Sequence, residues 1–340
     1  MSVKKIVHFS ILSFLILLVL AIFSFAVFTI VLQNDTGGIA AQYQRNDRPS
    51  FLSTFIYGIL TIKKQVQPLT LASLEASNES ITIKTDAETT IQTIQTDGIN
   101  LISVCDHQAD EDQVIFFIHG GAFAAGLDDR YVTFASVLSH KTGYCVLLPD
   151  FGRLPSNHYP IALNEVEGSY EWLLQNRKPA SVVLGGDSSG ADLSGALIFL
   201  LEQKHMPLPA SQFLLSPVVD LTLTNSTYKT RALVSPLVSP SLVREAVKAY
   251  VDNGTEDLKD PLLSPLYGDF HNYPPTIIEV GSQELAIGDA INMYKKITGA
   301  GGKARLDVWK GLWHVFPLIT NLPEANESLD LIAHFIHANS

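Results

Sequence analysis

The chain has 340 residues, 46% of them apolar, with a formal net charge of −11 and an isoelectric point near 5.3. That length carries one large α/β domain with additions; the apolar share excludes a disordered chain and the acidic balance excludes a nucleic-acid-binding surface. The two cysteines form no Cys-x-x-Cys or zinc-finger spacing, and there is no internal repeat, no Gly-x-Gly-x-x-Gly after a strand and no Walker lysine, so neither a metal nor a nucleotide cofactor is expected.

Ile6 to Leu32 contains no Asp, Glu, Lys or Arg. About 27 residues at ~1.5 Å each reach about 40 Å, enough to cross a hydrocarbon core of ~30 Å. Lys4 and Lys5 precede the run, whereas the apolar core of a cleaved signal peptide is only about 7–15 residues long. The small-x-small sites at Ser24-Phe25-Ala26 and Gly38-Ile39-Ala40 lie inside the run and well beyond it. The expectation is therefore a retained transmembrane signal-anchor over residues 1–33, making the membrane a partner, with cleavage and secretion as the alternative. Lys4 and Lys5 oppose Arg45 and Arg48, a weak positive-inside bias that the short leading loop tips toward an amino terminus inside. The remainder of the chain then sits on the non-cytoplasmic side.

Residues 34–80 read as a linker and a further segment ahead of the main domain. The stretch to Ser50 is polar; then Leu52, Phe55, Ile56, Ile59 and Leu60 recur at helical spacing. The simplest reading is a helix packed on its own domain. A helix lying on a membrane, with Lys63 and Lys64 at the headgroups, is the alternative.

Residues 81–340 form the main domain. Thr89–Thr93 and Ile99–Cys105 read as strands joined by a turn at Asp97-Gly98. Val114–Ile118 is a short apolar strand ending at His119-Gly120-Gly121-Ala122. Further on, an apolar β-branched run from Ser181 stops at Gly185-Gly186, and a helical pattern follows. Between them lies Gly186-Asp187-Ser188-Ser189-Gly190. Gly-x-Ser-x-Gly is the pattern of a nucleophile elbow: the turn is so sharp that the residues two before and two after the serine must be small, and it lifts the serine hydroxyl out of the sheet at a helix N-terminus.

Hydrolases built this way place serine, then an acid, then histidine along the chain. Thr276–Val280 is a predicted strand, and Glu284 follows it, where ligand chemistry collects in α/β sheets. Asp260 and Asp289 are competitors for the acid. Ala304–Trp309 is the last predicted strand, and His314 in the loop after it is the candidate general base. His334 and His337 share a helix face, but no third ligand accompanies them, so they read as surface.

These motifs, with Arg153-Leu154-Pro155, Tyr159-Pro160, Trp172-Leu173 and Asp260-Pro261-Leu262-Leu263-Ser264-Pro265, resemble the hormone-sensitive-lipase-like family of α/β-hydrolases from about Thr89 to the C-terminus. Ala122, Ser189 and Ala191 stand where the family pattern has Gly, Ala and Gly. The resemblance implies an eight-stranded, mostly parallel sheet flanked by helices, with a small cap from the N-terminal segment and from about Thr222–Asn253. It implies Ser188, His314 and Glu284 as the catalytic set, and no metal and no cofactor. The oxyanion hole is carried over to the N–H groups of Gly120, Gly121 and Ser189, Ala122 keeping an N–H as a further donor, with His119 orienting the loop. The implied function is hydrolysis of small-molecule carboxylic esters of short to medium acyl length through an acyl-serine. A lipase, deacetylase or amidase on the same residues, or a non-catalytic membrane scaffold, is the alternative. In this topology Cys105 and Cys145 lie on antiparallel neighbours at ends that meet, so two buried thiols, the preferred reading, compete with a disulfide. Oligomeric state is left open.

Overall fold

A computed structural model describes residues 43–45, 49–77, 88–96, 98–176, 178, 181–252, 254 and 256–339. The expected anchor over residues 1–33 lies outside them. Among the described residues no helix is long and apolar enough to cross a membrane.

The short apolar runs pair into one sheet: β1 (Gln44–Arg45), β2 (Thr89–Gln95), β3 (Asn100–Asp106), β4 (Asp110–Ile118), β5 (Tyr144–Asp150), β6 (Val182–Asp187), β7 (Ser211–Leu215), β8 (Thr276–Gly281) and β9 (Ala304–Trp309). Their order is β1-β9-β8-β7-β6-β4-β5-β3-β2. The β2–β3 and β3–β5 pairs are antiparallel and every other pair is parallel. β2 to β9 are the eight strands expected. β1 is an addition from the stretch read as a polar linker. Its register beside β9 is helped by the Arg45 guanidinium, which reaches Asp307 at 3.4 Å and Glu327 at 2.8 Å.

The helices are α1 (Phe51–Val66), α2 (Leu71–Glu75), α3 (Asp129–Thr142), α4 (Ile161–Asn176), α5 (Ser188–Gln203), α6 (Thr227–Thr230), α7 (Pro240–Tyr250), α8 (Ile287–Gly299) and α9 (Pro323–Asn339). α4, α5 and α8 bury their apolar stripes on one face of the sheet; α3 and α9 cover the other. Strands closed on both faces need no alternation, and β6 and β7 are buried at every position.

Val104 of β3 pairs with Val146 of β5, so the next residues outward, Cys105 and Cys145, oppose each other. They are joined in a disulfide with Cα atoms 4.4 Å apart. This replaces the reading as two thiols: direct opposition across an antiparallel pair already brings the side chains into bonding range.

α1 does dock on the domain, but by an unexpected face. Its buried side is Ser53, Tyr57, Gly58 and Thr61. The Tyr57 hydroxyl donates to the Val234 carbonyl at 2.8 Å, and the Ser53 hydroxyl donates to the buried Glu324 carboxylate at 2.7 Å. Tyr57 also packs in a cluster with Trp309, Trp313 and Phe316. The Lys64 ammonium donates to the Ala232 and Ser235 carbonyls at 3.0 and 2.6 Å, so it is turned to the domain. Of the five residues expected to pack, Ile56 and Leu60 are partly buried against that cluster, whereas Leu52, Phe55 and Ile59 are exposed. The docking surface supplies carbonyls, a carboxylate and aromatic edges, which select the polar and aromatic face of the helix.

Candidate active site

The crevice forms where the connections diverge. β6 runs beside β4, while the chain leaving β4 crosses to β5 on the other side. At such a switch point the loops leaving adjacent strands separate and open a cleft at their carboxyl ends. The loop after β4 carries His119 to Phe123, and the turn after β6 carries Ser188.

Ser188 has φ of 52°, the left-handed conformation that a non-glycine residue adopts only when its surroundings hold it there. What holds it is close packing of backbone. A Cβ on Gly186 would lie 2.5 Å from the Gly190 carbonyl oxygen, and one on Gly190 would lie 2.1 Å from that of Ile118. The two motif glycines thus let the turn close on itself and let α5 press on the end of β4.

The three predicted side chains meet. Glu284 Oε2 lies 2.7 Å from His314 Nδ1, and His314 Nε2 lies 2.9 Å from Ser188 Oγ. Glu284 is fully buried and His314 nearly so. With Nδ1–H donating to the carboxylate, the Nε2 lone pair faces the serine hydroxyl. The Glu284 Oε1 atom accepts from the Gly281 N–H at 2.7 Å and from the Ser216 hydroxyl at 2.8 Å. Ser216 Oγ also accepts from the Val315 N–H at 2.9 Å. Ser216 therefore ties Glu284 to the loop that carries His314. Sequence reasoning missed it; the only local signal was its place at the end of β7, beside Pro217. Arg231, buried in the cap, donates to the Ser282 carbonyl, and Ser282 Oγ accepts from the Gly311 N–H at 2.9 Å. Of the two competitors for the acid, Asp260 caps its own turn through the Leu262 N–H, and Asp289 accepts from the Tyr228 hydroxyl at 2.8 Å; neither is bonded to His314.

The oxyanion loop differs from expectation at one residue. The Gly120 N–H donates to Asp187 Oδ1 at 2.8 Å and also lies 3.1 Å from the Tyr131 hydroxyl. It is committed to the elbow and is not a free donor. The N–H groups of Gly121, Ala122 and Ser189 carry no such bond among the described residues. Gly121, Ala122 and Phe123 all have positive φ, of 115°, 56° and 58°. Burial pushes the Asp187 carboxyl up to about 6, against the opposing effect of the Gly120 N–H. His119 is buried, stacks on Phe151 with ring centroids 4.3 Å apart, and has Nδ1 2.7 Å from its neighbour's carbonyl at Gly120. Burial pulls it down to about 4, so it stays neutral as a loop support.

A cavity of about 690 Å³ opens over Ser188, His314 and the Gly120–Phe123 loop, walled by cap residues such as Leu69, Leu237, Val243 and Val247. Among the described residues no group of acidic, histidine or cysteine side chains is arranged to hold a metal ion.

Residues 115–318 match the family described as the alpha/beta hydrolase fold. An esterase of Acinetobacter venetianus is 34% identical over 232 residues, covering 67% of this chain and 76% of that protein. The solved structure of EstE5 soaked with p-nitrophenyl butyrate superposes with a TM-score of 0.79 at 26% identity, covering 85% of this chain and 99% of that one. A hormone-sensitive lipase from a metagenome library superposes with a TM-score of 0.77 at 27% identity over 85% and 99% of the two chains. With the elbow, the glycine loop and the ordered acid and histidine, the chain belongs to the hormone-sensitive-lipase-like family of α/β-hydrolases.

Proposed function

We propose that the protein is a serine carboxylic-ester hydrolase acting through an acyl-Ser188 intermediate. The observation that carries this reading is the unbroken chain from the Glu284 carboxylate through His314 to the Ser188 hydroxyl, at 2.7 and 2.9 Å. Ser188 Oγ attacks the acyl carbon while its proton passes to His314 Nε2. Glu284 holds the tautomer and stabilises the imidazolium. The carbonyl oxygen becomes an oxyanion beside the N–H groups of Gly121, Ala122 and Ser189, which donate without reorganising. Collapse expels the alkoxide, which takes the proton from Nε2. Water then attacks the acyl-serine by the same route, releasing the acid and restoring the hydroxyl.

The apolar cap wall supports acyl chains of short to medium length, as does the butyrate ester used with EstE5. A p-nitrophenyl ester series from acetate to dodecanoate tests both claims. Wild type is expected to turn over the shorter esters, and Ser188→Ala to lose about 10⁴-fold or more of kcat, the scale seen when a triad nucleophile is removed. Equal inertness of both proteins at every chain length would overturn the assignment. Residues 1–33 are proposed as a retained anchor that holds the domain on the non-cytoplasmic side, a reading the Cys105–Cys145 disulfide supports because such bonds persist in oxidising compartments. Resistance of the full chain to alkaline carbonate extraction from membranes is the expected result.

A further inference from the structure

A surface helix ordinarily turns its apolar stripe to the core. α1 does so only in part: Ile56 and Leu60 pack inward against the cluster of Trp309, Trp313 and Phe316, while a second apolar stripe faces out. Phe51, Phe55, Ile59, Ile62 and Val66 are 87, 58, 47, 47 and 79% exposed. At about 100° per residue these five fall within an arc of roughly 80°, on the side away from Tyr57. The helix is not a loose flap: the Ser50 N–H and the Ser53 hydroxyl both bond to the buried Glu324 carboxylate, at 2.6 and 2.7 Å, and Tyr57 is fully buried. The stripe is therefore a fixed outer surface. Leu233, on the loop that α1 packs against, is 88% exposed as well.

We propose that this face of α1 lies on a lipid bilayer and sets the mouth of the active-site cavity at the lipid surface, so that the ester substrates are membrane-dissolved lipids. Two observations select the bilayer as the occupant. The uncharged run Ile6–Leu32 ends shortly before the described chain begins at Tyr43. Residues 33–42, even fully extended at ~3.5 Å each, reach only about 35 Å, so a bilayer holding that run is tethered close to β1 and to α1 just after it. The stripe is also too narrow for a second copy of the chain. A 16-residue helix is about 24 Å long, and one row of side chains falls short of the roughly 800 Å² per partner that a stable dimer buries. A bilayer asks only for an apolar line in its interfacial plane. The C-terminal end of the same helix meets the reaction site: Lys63, Gln67 and Leu69 line the cavity that also holds Ser188 and His314. The clause on substrates rests on the ester-hydrolase reading; the docking does not.

The test uses the full chain reconstituted in phosphatidylcholine–phosphatidylserine vesicles, with a nitroxide on Phe55→Cys or Ile59→Cys and a control on Glu171→Cys, which is exposed elsewhere. Both native cysteines are in the disulfide, so the added thiol alone takes the label. Collisions with dissolved oxygen but not with a water-borne nickel chelate are expected at residues 55 and 59, and the reverse at 171. Nickel accessibility at 55 and 59 equal to that at 171 would overturn the proposal. So would dipolar broadening between labels, which means a second copy, or shielding from both reagents, which means coverage by the chain's own N-terminal residues. The triple variant Phe55→Gln, Ile59→Gln, Ile62→Gln is expected to keep wild-type turnover of p-nitrophenyl acetate in solution while losing at least about tenfold on diacylglycerol dissolved in the vesicles. Equal loss on both substrates would sink the substrate clause. Wild type inert on both, with oxygen-accessible labels, would leave docking standing and remove the hydrolase reading.

Discussion

At the scale of single residues, the site depends on two hydrogen bonds that no motif names. Asp187 accepts from the Gly120 N–H and so locks the oxyanion loop to the elbow. A Cβ on Gly120 would meet Asp187 Oδ2 at 2.4 Å and the Asp187 carbonyl oxygen at 2.7 Å. Gly120→Ala is therefore expected to displace the loop and lower kcat by about 10²–10³, the cost of a misplaced oxyanion donor, with KM changed far less. Steady-state kinetics on p-nitrophenyl butyrate check this. Ser216 positions Glu284 and the backbone after His314. Ser216→Ala removes a hydrogen bond to a charged group, worth about 1.5–3 kcal/mol, and is expected to cost roughly tenfold to hundredfold in kcat. An altered pH–rate profile would separate this positioning role from a purely structural one. The elbow, Glu284 and His314 were legible because their constraints are local: a turn that tolerates only small residues, and loops at strand ends. The bonding of Gly120 and the role of Ser216 were not, because each is decided by a partner far along the chain.

At the scale of elements, the cap is joined to the candidate site by aromatic stacking. Tyr250, the last residue of α7, lies face to face with Phe123 of the oxyanion loop, centroids 3.8 Å apart and planes 3° from parallel. The Tyr250 carbonyl also accepts from the Tyr159 N–H at 2.8 Å. Tyr250→Ala removes the ring and is expected to destabilise the fold by about 3–5 kcal/mol, as buried aromatic truncations do, and to weaken discrimination between acyl lengths. Tyr250→Phe keeps the stack and is expected to retain both. Thermal unfolding and the ester series read the two effects separately. α1 teaches the opposite lesson about patterns. Its apolar period was plain in the sequence, but a period does not say which way a stripe faces. The cluster of Tyr57 with Trp309, Trp313 and Phe316, and the carboxylate of Glu324, decided that.

At the scale of the molecule, stability is expected to fall as pH rises through the neutral range. Asp192 is fully buried, neither carboxylate oxygen has a protein partner among the described residues, and burial, with repulsion from Asp289 and Asp220, holds it well above the usual range. Burial likewise pushes Asp289 up to about 8. In the unfolded chain both carboxyls release their protons near the ordinary value of 3.8. Between that value and about 8 the folded state therefore binds more protons than the unfolded state, and the unfolding free energy declines with pH. Asp192→Asn removes one charge and supplies donors to the cluster. It is expected to raise Tm near pH ~8 and to have little effect near pH ~4, by calorimetry at both. The disulfide closes a loop of 40 residues, worth about 4 kcal/mol in the chain-entropy picture. Cys105→Ser with Cys145→Ser should lower the urea midpoint accordingly.

What the chain's own order determined was the fold class and the strand ends at which Ser188, Glu284 and His314 meet. Burial on both faces demands apolar strands, a strained elbow demands glycines at set offsets, and strand ends are where loops can carry side chains into a cleft. What only the tertiary structure decided was which partners those groups found. The Gly120 N–H went to Asp187, Cys105 found Cys145, Arg45 joined the edge strand to β9 and α9, and α1 left Phe51, Phe55, Ile59, Ile62 and Val66 facing outward. Each outcome is a contact between residues distant in sequence, set by the shape and polarity of a surface that exists only once the sheet has formed.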